Sequence, residues 1–81
     1  MSFSVTLYGP LRRLVGARTL TVAGAVPATP AALKRVLAHS HPALEPHLRT
    51  CAVSMGDALL ADDAPLDASG AIALLPPVSG G

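Results

Sequence analysis

Aromatic side chains are nearly missing from this chain: of 81 residues one is Phe, one is Tyr and none is Trp. Phe3 and Tyr8 stand in one short segment, so no row of stacking platforms for single-stranded nucleic acid can be assembled. The six Lys and Arg residues are scattered against five acids, giving a net charge of +1 and no basic run of the kind that tracks phosphates. Nucleic acid is therefore not an expected partner. A single cysteine, Cys51, rules out an internal disulfide and fits a reducing cytosol. Apolar runs stay short of the roughly 18 residues of a membrane span. The start, MSFSVTLYGP, alternates instead of presenting a basic stretch and an apolar block, unlike a signal peptide. A cytoplasmic domain with no membrane contact is expected.

Half of the residues, 51%, are hydrophobic, which suits one small domain with one core built on Leu, Val and Ile. Phe3, Val5 and Leu7 alternate with Ser4, Thr6 and Tyr8, a half-buried strand whose phase puts Tyr8 opposite the core residues. Gly9-Pro10 breaks it, and Leu11, Leu14 and Val15 at helical spacing before Gly16 predict a short helix. Leu20 and Val22 between threonines form a second strand. Thr29-Pro30 starts the main helix, since Thr29 can cap free amides and Pro30 has no amide to leave unsatisfied. Leu33, Val36 and Leu37 mark its buried stripe, Lys34 and Arg35 turn to water, and His41-Pro42 ends it. A short helical turn carries Leu44 and Leu48. Cys51 to Ser54, Ala58 to Ala61 and Ala71 to Leu75 are strands, separated by a turn at Met55-Gly56-Asp57 and by the acidic loop DDAPLDASG. The irregular order predicts an α+β fold, a mixed sheet of four to five strands with one main helix packed across it.

The side chains that usually carry chemistry do not converge. His39, His41 and His47 have only Glu45 nearby as a further ligand, and histidines at a helix C-terminus are accounted for by its partial negative charge. Cys51 opens an apolar strand with nothing evident to lower its pKa, as a buried structural thiol would. Asp62, Asp63 and Asp67 lack the spacing and glycine of a calcium loop and are expected to be solvated. No metal and no bound cofactor is expected.

The end of the chain, LLPPVSGG, is different. Two consecutive glycines at a given place occur by chance in about one chain of 200. Their setting adds weight, because Pro76-Pro77 cannot continue a sheet and favours an extended backbone. Six residues beyond Leu75 span about 20 Å when extended. Val78, Ser79, Gly80 and Gly81 are small enough to pass along a narrow channel and present a carboxylate at its far end. That carboxylate is ionised and a poor electrophile until activated, typically as an acyl-adenylate. Residues 1–75 are thus expected to form the body and residues 76–81 a tail.

The succession LRRLVG, TPAAL, HPAL and PPVSGG resembles the small subunits of molybdopterin synthase, members of the ubiquitin-like sulfur carriers with a β-grasp fold. The resemblance implies that Gly81 is adenylated by an ATP-using enzyme similar to ubiquitin-activating enzymes and is then converted to a thiocarboxylate by a sulfur donor system. It implies insertion of Pro76, Pro77, Val78, Ser79 and Gly80 into a large catalytic subunit, within a heterotetramer, for sulfur transfer to a cyclic pyranopterin precursor. ATP is then consumed by the partner, and the chain has no catalytic residues of its own. Two departures stand out: Leu75 occupies a place often aromatic in relatives, and Ala68-Ser69-Gly70-Ala71 replaces an acidic turn. Neighbours such as Leu59-Leu60 and Leu74-Leu75 must point to opposite faces of a sheet. Tyr8, Leu59 and Leu75 are accordingly expected to form an exposed apolar patch for the partner. The alternatives are a carrier for thiamin, tRNA thiolation or amino-acid synthesis, a protein modifier joined through Gly81 to target lysines, and an interaction domain with an inert tail.

Overall fold

A computed structural model describes residues 1–67 and 70–77. Strand β1 (Ser2–Leu7) buries Phe3, Val5 and Leu7 and exposes Ser2 and Ser4, the period of two that its sequence carries. It ends one residue earlier than the alternation suggests, because Gly9 turns the chain at φ +60°. Helix α1 (Pro10–Val15) opens on proline and closes at Gly16, whose left-handed backbone lets its N–H donate to the Arg12 carbonyl at 2.7 Å. Only Leu11 of α1 is fully buried; Leu14, expected on the same stripe, is 39% exposed because the helix is barely more than one turn.

After β2 (Thr19–Ala23), helix α2 (Pro30–Ser40) starts as its sequence dictates: the Ala32 N–H donates to Thr29 Oγ1 at 3.2 Å, and Pro30 takes the first turn. It buries Leu33 and Leu37 completely and stops at His41, ahead of Pro42. A 3-10 turn (Pro42–Leu44) and the one-turn α3 (Glu45–Leu48) then bury Leu44 and Leu48. Strands β3 (Ala52–Met55) and β4 (Ala58–Leu60) form a hairpin around Gly56-Asp57, with Gly56 at φ +62°, and β5 (Ile72–Leu75) ends the sheet.

The five strands lie in the order β2-β1-β5-β3-β4. Strand β1 runs antiparallel to β2 and parallel to β5, while β3 runs antiparallel to both β5 and β4. Strand β5 is therefore central, which explains its unbroken apolar run. One core joins Val5, Leu7, Ile72, Leu74 and Val53 on a single face of the sheet to Leu11, Leu33, Leu37, Leu44 and Leu48 of the helical segments. The expected mixed sheet with a helix across it is what forms. The loop after β4 also lies on the helical side, since the Ala31 N–H donates to the Asp62 carbonyl and the Leu66 N–H to the Ala28 carbonyl. No helix among the described residues is long and apolar enough to cross a membrane.

Candidate functional site

The strand pairing decides where β5 ends. Because β1 and β5 are parallel, Leu7 and Leu74 are partners and both strands finish at the same end of the sheet. Pro76 leaves β5 against Gly9, where a Cβ on the glycine would lie 3.1 Å from Pro76 Cγ. Gly9 is thus required twice, for its positive φ and for this close approach. Pro76 is half-buried and Pro77 exposed. Val78, Ser79, Gly80 and Gly81 lie outside the described residues, so the sulfur-bearing and inserting roles expected for them have no geometry here.

Of the residues expected to form an apolar patch, Leu59 lies in β4, Leu75 in β5, and Tyr8 directly follows β1. Leu59 is 69% exposed and Tyr8 42%, while Leu75 is half-buried. Between them the register sets small side chains: Leu59 pairs with Ser54, Ser54 with Ala73, and Ala52 with Leu75. Leu60 and Leu74 point the other way and join or pack on the core. Ser54 and Ala73, both buried, and half-buried Ala52 thus lie between Leu59 and Leu75 in the register of the sheet.

Arginine at this place went unnoticed in the sequence beyond its presence in LRRLVG. Arg12 Nε donates to the Leu7 carbonyl at 3.0 Å, and its guanidinium lies 5.5 Å from the centroid of the Tyr8 ring. An open cleft of about 430 Å³ is lined by Gly9, Pro10, Arg12 and Arg13. The only signal for it was the Gly-Pro break followed by two arginines, which reads equally well as a helix start.

The other candidates lie apart from this site. His39 and His47 are exposed and His41 half-buried, and no group of three or more metal-type ligands occurs among the described residues. Asp63 and Asp67 of the acidic loop are exposed. Asp62 pairs with Lys34 at 3.2 Å, and the Lys34 side chain is only 18% exposed. Lys34 therefore does not turn freely to water as its helical phase suggested: the loop after β4 folds over the start of α2 and brings the carboxylate to it.

Cys51 belongs to the core, 4% exposed, with its N–H donating to the Leu48 carbonyl one residue before β3 begins. Burial raises its pKa above the ordinary 9.0, with Lys34 opposing the shift. The unfolded chain ionises this thiol first, so its contribution to stability is full below about pH 9 and is lost as pH rises beyond it. We expect native protein at pH 8 to react with iodoacetamide at least about tenfold more slowly than urea-unfolded protein. Equal rates would place Cys51 outside the core.

Comparison with known proteins gives a consistent pattern. The model of the ThiS family matches residues 5–81. No curated protein matches the chain by sequence. Among solved structures, small archaeal modifier protein 1 (SAMP1) of Haloferax volcanii is 28% identical with a TM-score of 0.74, each chain covered in full. A chain in the complex of subunits 1 and 2 of the molybdopterin-converting factor from Helicobacter pylori 26695 is 27% identical with a TM-score of 0.65, again over 100% of both chains. The HVO 2177 protein of Haloferax volcanii, at 21% identity and a TM-score of 0.77 over 100% of this chain and 87% of its own, shares the fold.

Proposed function

The chain belongs to the ThiS family of small ubiquitin-like sulfur carriers, and from that premise we propose that it is the sulfur-carrying small subunit of a molybdopterin synthase. The observation that carries this reading is the PPVSGG sequence, whose Pro76 directly follows the central strand β5 and packs against Gly9. The carrier cycle begins with an oxygen of the Gly81 carboxylate attacking the α-phosphorus of ATP on an activating enzyme. Pyrophosphate leaves, and the carboxyl becomes an acyl-adenylate. A sulfide equivalent from the donor system then adds to that carbonyl and AMP departs, leaving a thiocarboxylate. Glycine suits this position because nothing shields its carbonyl and its backbone adopts angles closed to other residues. The loaded tail, Pro76 through Gly81, enters the large subunit, and Tyr8, Leu59 and Leu75 dock on that subunit's surface. In support, the 27% identical chain comes from a complex of two molybdopterin-converting subunits.

The test is the intact mass of the protein after incubation with its host's activating enzyme, ATP and a sulfur donor. Exchange of one oxygen for sulfur is expected. No exchange, under conditions that convert a known carrier, would reject the carrier reading. For the docking face, Leu59→Asp is expected to weaken binding of the large subunit at least about tenfold, as loss of an apolar anchor does; unchanged binding would reject the patch.

A second reading is supported by the 28% identity to an archaeal modifier protein. As a modifier, Gly81 would form an amide with lysines on target proteins, detected as conjugates of raised mass. Chains of the protein on itself would have one side-chain acceptor, Lys34, the only lysine, and it is tied to Asp62 and mostly covered.

A further inference from the structure

All five acids, Glu45, Asp57, Asp62, Asp63 and Asp67, follow residue 44, while five of the six basic residues, Arg12, Arg13, Arg18, Lys34 and Arg35, precede it. The first 44 residues thus carry a formal +5 and the remaining 37, with Arg49 against the five acids, −4. Folding converts this asymmetry into a local field. Asp57 and Asp62 flank β4, the edge strand farthest from β2. Arg12 and Arg18 are both tied to the last residue of β1: the Leu7 carbonyl accepts from Arg12 Nε, and the Leu7 N–H donates to the Arg18 carbonyl at 2.7 Å. Leu7 is the partner of Leu74. The Arg12 side chain therefore lies where β5 ends, and Arg13 lines the same cleft with Gly9 and Pro10, while Arg18 is tied there through its backbone alone.

Arg12, Arg13 and Arg18 are exposed, and none of them pairs with a carboxylate among the described residues. Arg12 is held over Tyr8, so it is already ordered for a partner. We infer that Arg12 and Arg13 form a cationic collar at the root of the tail, which docks on an acidic rim around the channel of the adenylating enzyme. The collar rests on the carrier reading and adds to it the charge of the receiving surface.

Reach decides what the collar touches. Six extended residues from Pro76 to Gly81 span about 20 Å. When the terminal carboxylate meets ATP, the arginines are about that distance behind it, beyond hydrogen-bond reach of the phosphates. Their target is then the protein surface at the channel mouth. A complementary charge there speeds association 10-fold to 1,000-fold, an effect that salt screens over about 10 Å at 0.1 M. Two adjacent arginines with one tyrosine are too few for a strand of nucleic acid.

The experiment is steady-state pyrophosphate release by the host's activating enzyme with ATP, a sulfur donor and this protein, at about 50 mM and about 500 mM salt. Arg13 is exposed and makes no side-chain hydrogen bond or ion pair among the described residues, so Arg13→Glu and the neutral Arg13→Gln are the test variants. Arg35→Glu, on α2, makes the same charge change away from the tail. We expect Arg13→Glu to lower kcat/KM at least about tenfold at low salt, through KM, with a smaller loss for Arg13→Gln and a deficit that shrinks at high salt. Arg35→Glu is expected to stay within about twofold. A twofold or smaller effect of Arg13→Glu at low salt would overturn the collar, as would an equal loss in Arg35→Glu, which would make the effect one of net charge. If wild type releases no pyrophosphate, the carrier reading falls and the collar with it, an outcome distinct from normal turnover of all three variants.

Discussion

Deleting Gly81 is expected to abolish thiocarboxylate formation while shifting the melting temperature by less than about 2 °C. The truncated chain still ends in a glycine, Gly80, so the chemistry of the terminal group is preserved. What changes is its position, which retreats by one residue, about 3.3 Å. Misplacement of a reacting atom by 1 Å can cost on the order of 100-fold, so a shortfall three times larger should leave no measurable turnover. The fold has no stake in that residue, because the core is closed by residues from Phe3 to Leu74. Intact mass and a thermal melt on the same sample check both halves. Sulfur gained by the shortened chain would mean that the receiving channel does not measure tail length. A large drop in melting temperature would mean that the tail is part of the body, contrary to its proposed role.

Sequence periodicity revealed the elements well because each signal is local. The alternation of Phe3, Val5 and Leu7 with polar residues, and Thr29-Pro30 ahead of Leu33 and Leu37, report contacts within one strand or one turn of helix. Pairing is not local: nothing in Val5 or Ile72 announces that their strands are parallel neighbours, separated by 66 residues of intervening chain. Lys34 was misplaced for the same reason, since the carboxylate that holds it lies 28 residues away. That Leu59 turns away from the core was readable from parity alone, as two adjacent leucines in a strand cannot share a face. Gly9 was read only as a strand breaker. Its contact with Pro76, and with it the meeting of α1 and the tail root, depends on the parallel pairing and so on the whole sheet. The sulfur-carrier family was legible from residues 76–81 because the two prolines and two glycines of that segment are a property of the sequence itself.

Replacing Leu37 by alanine is expected to do the opposite of the tail deletion, lowering stability by about 2–5 kcal/mol without touching the chemistry of Gly81. Leu37 is 0% exposed on α2, in the cluster that joins this helix to the sheet. A domain of this size is held by only about 4–12 kcal/mol, so the loss is a large share of the total. With an unfolding entropy of roughly 0.17 kcal/mol/K for 81 residues, a 3 kcal/mol loss lowers the melting temperature by about 18 °C. Leu59→Ala serves as the counterpart: at 69% exposure its side chain is largely in water already, and a change within about 0.5 kcal/mol is expected. Thermal and urea melts of the three proteins measure these differences. Below its melting point, Leu37→Ala should still acquire sulfur at the rate of wild type, because in the proposed carrier cycle the activating enzyme handles the end of the chain, not the inside of the helix–sheet core. A stable Leu37→Ala protein that fails to acquire sulfur would show that α2 is read directly by the enzyme. A melting temperature within about 3 °C of wild type would show that the helix is not seated on the sheet as described.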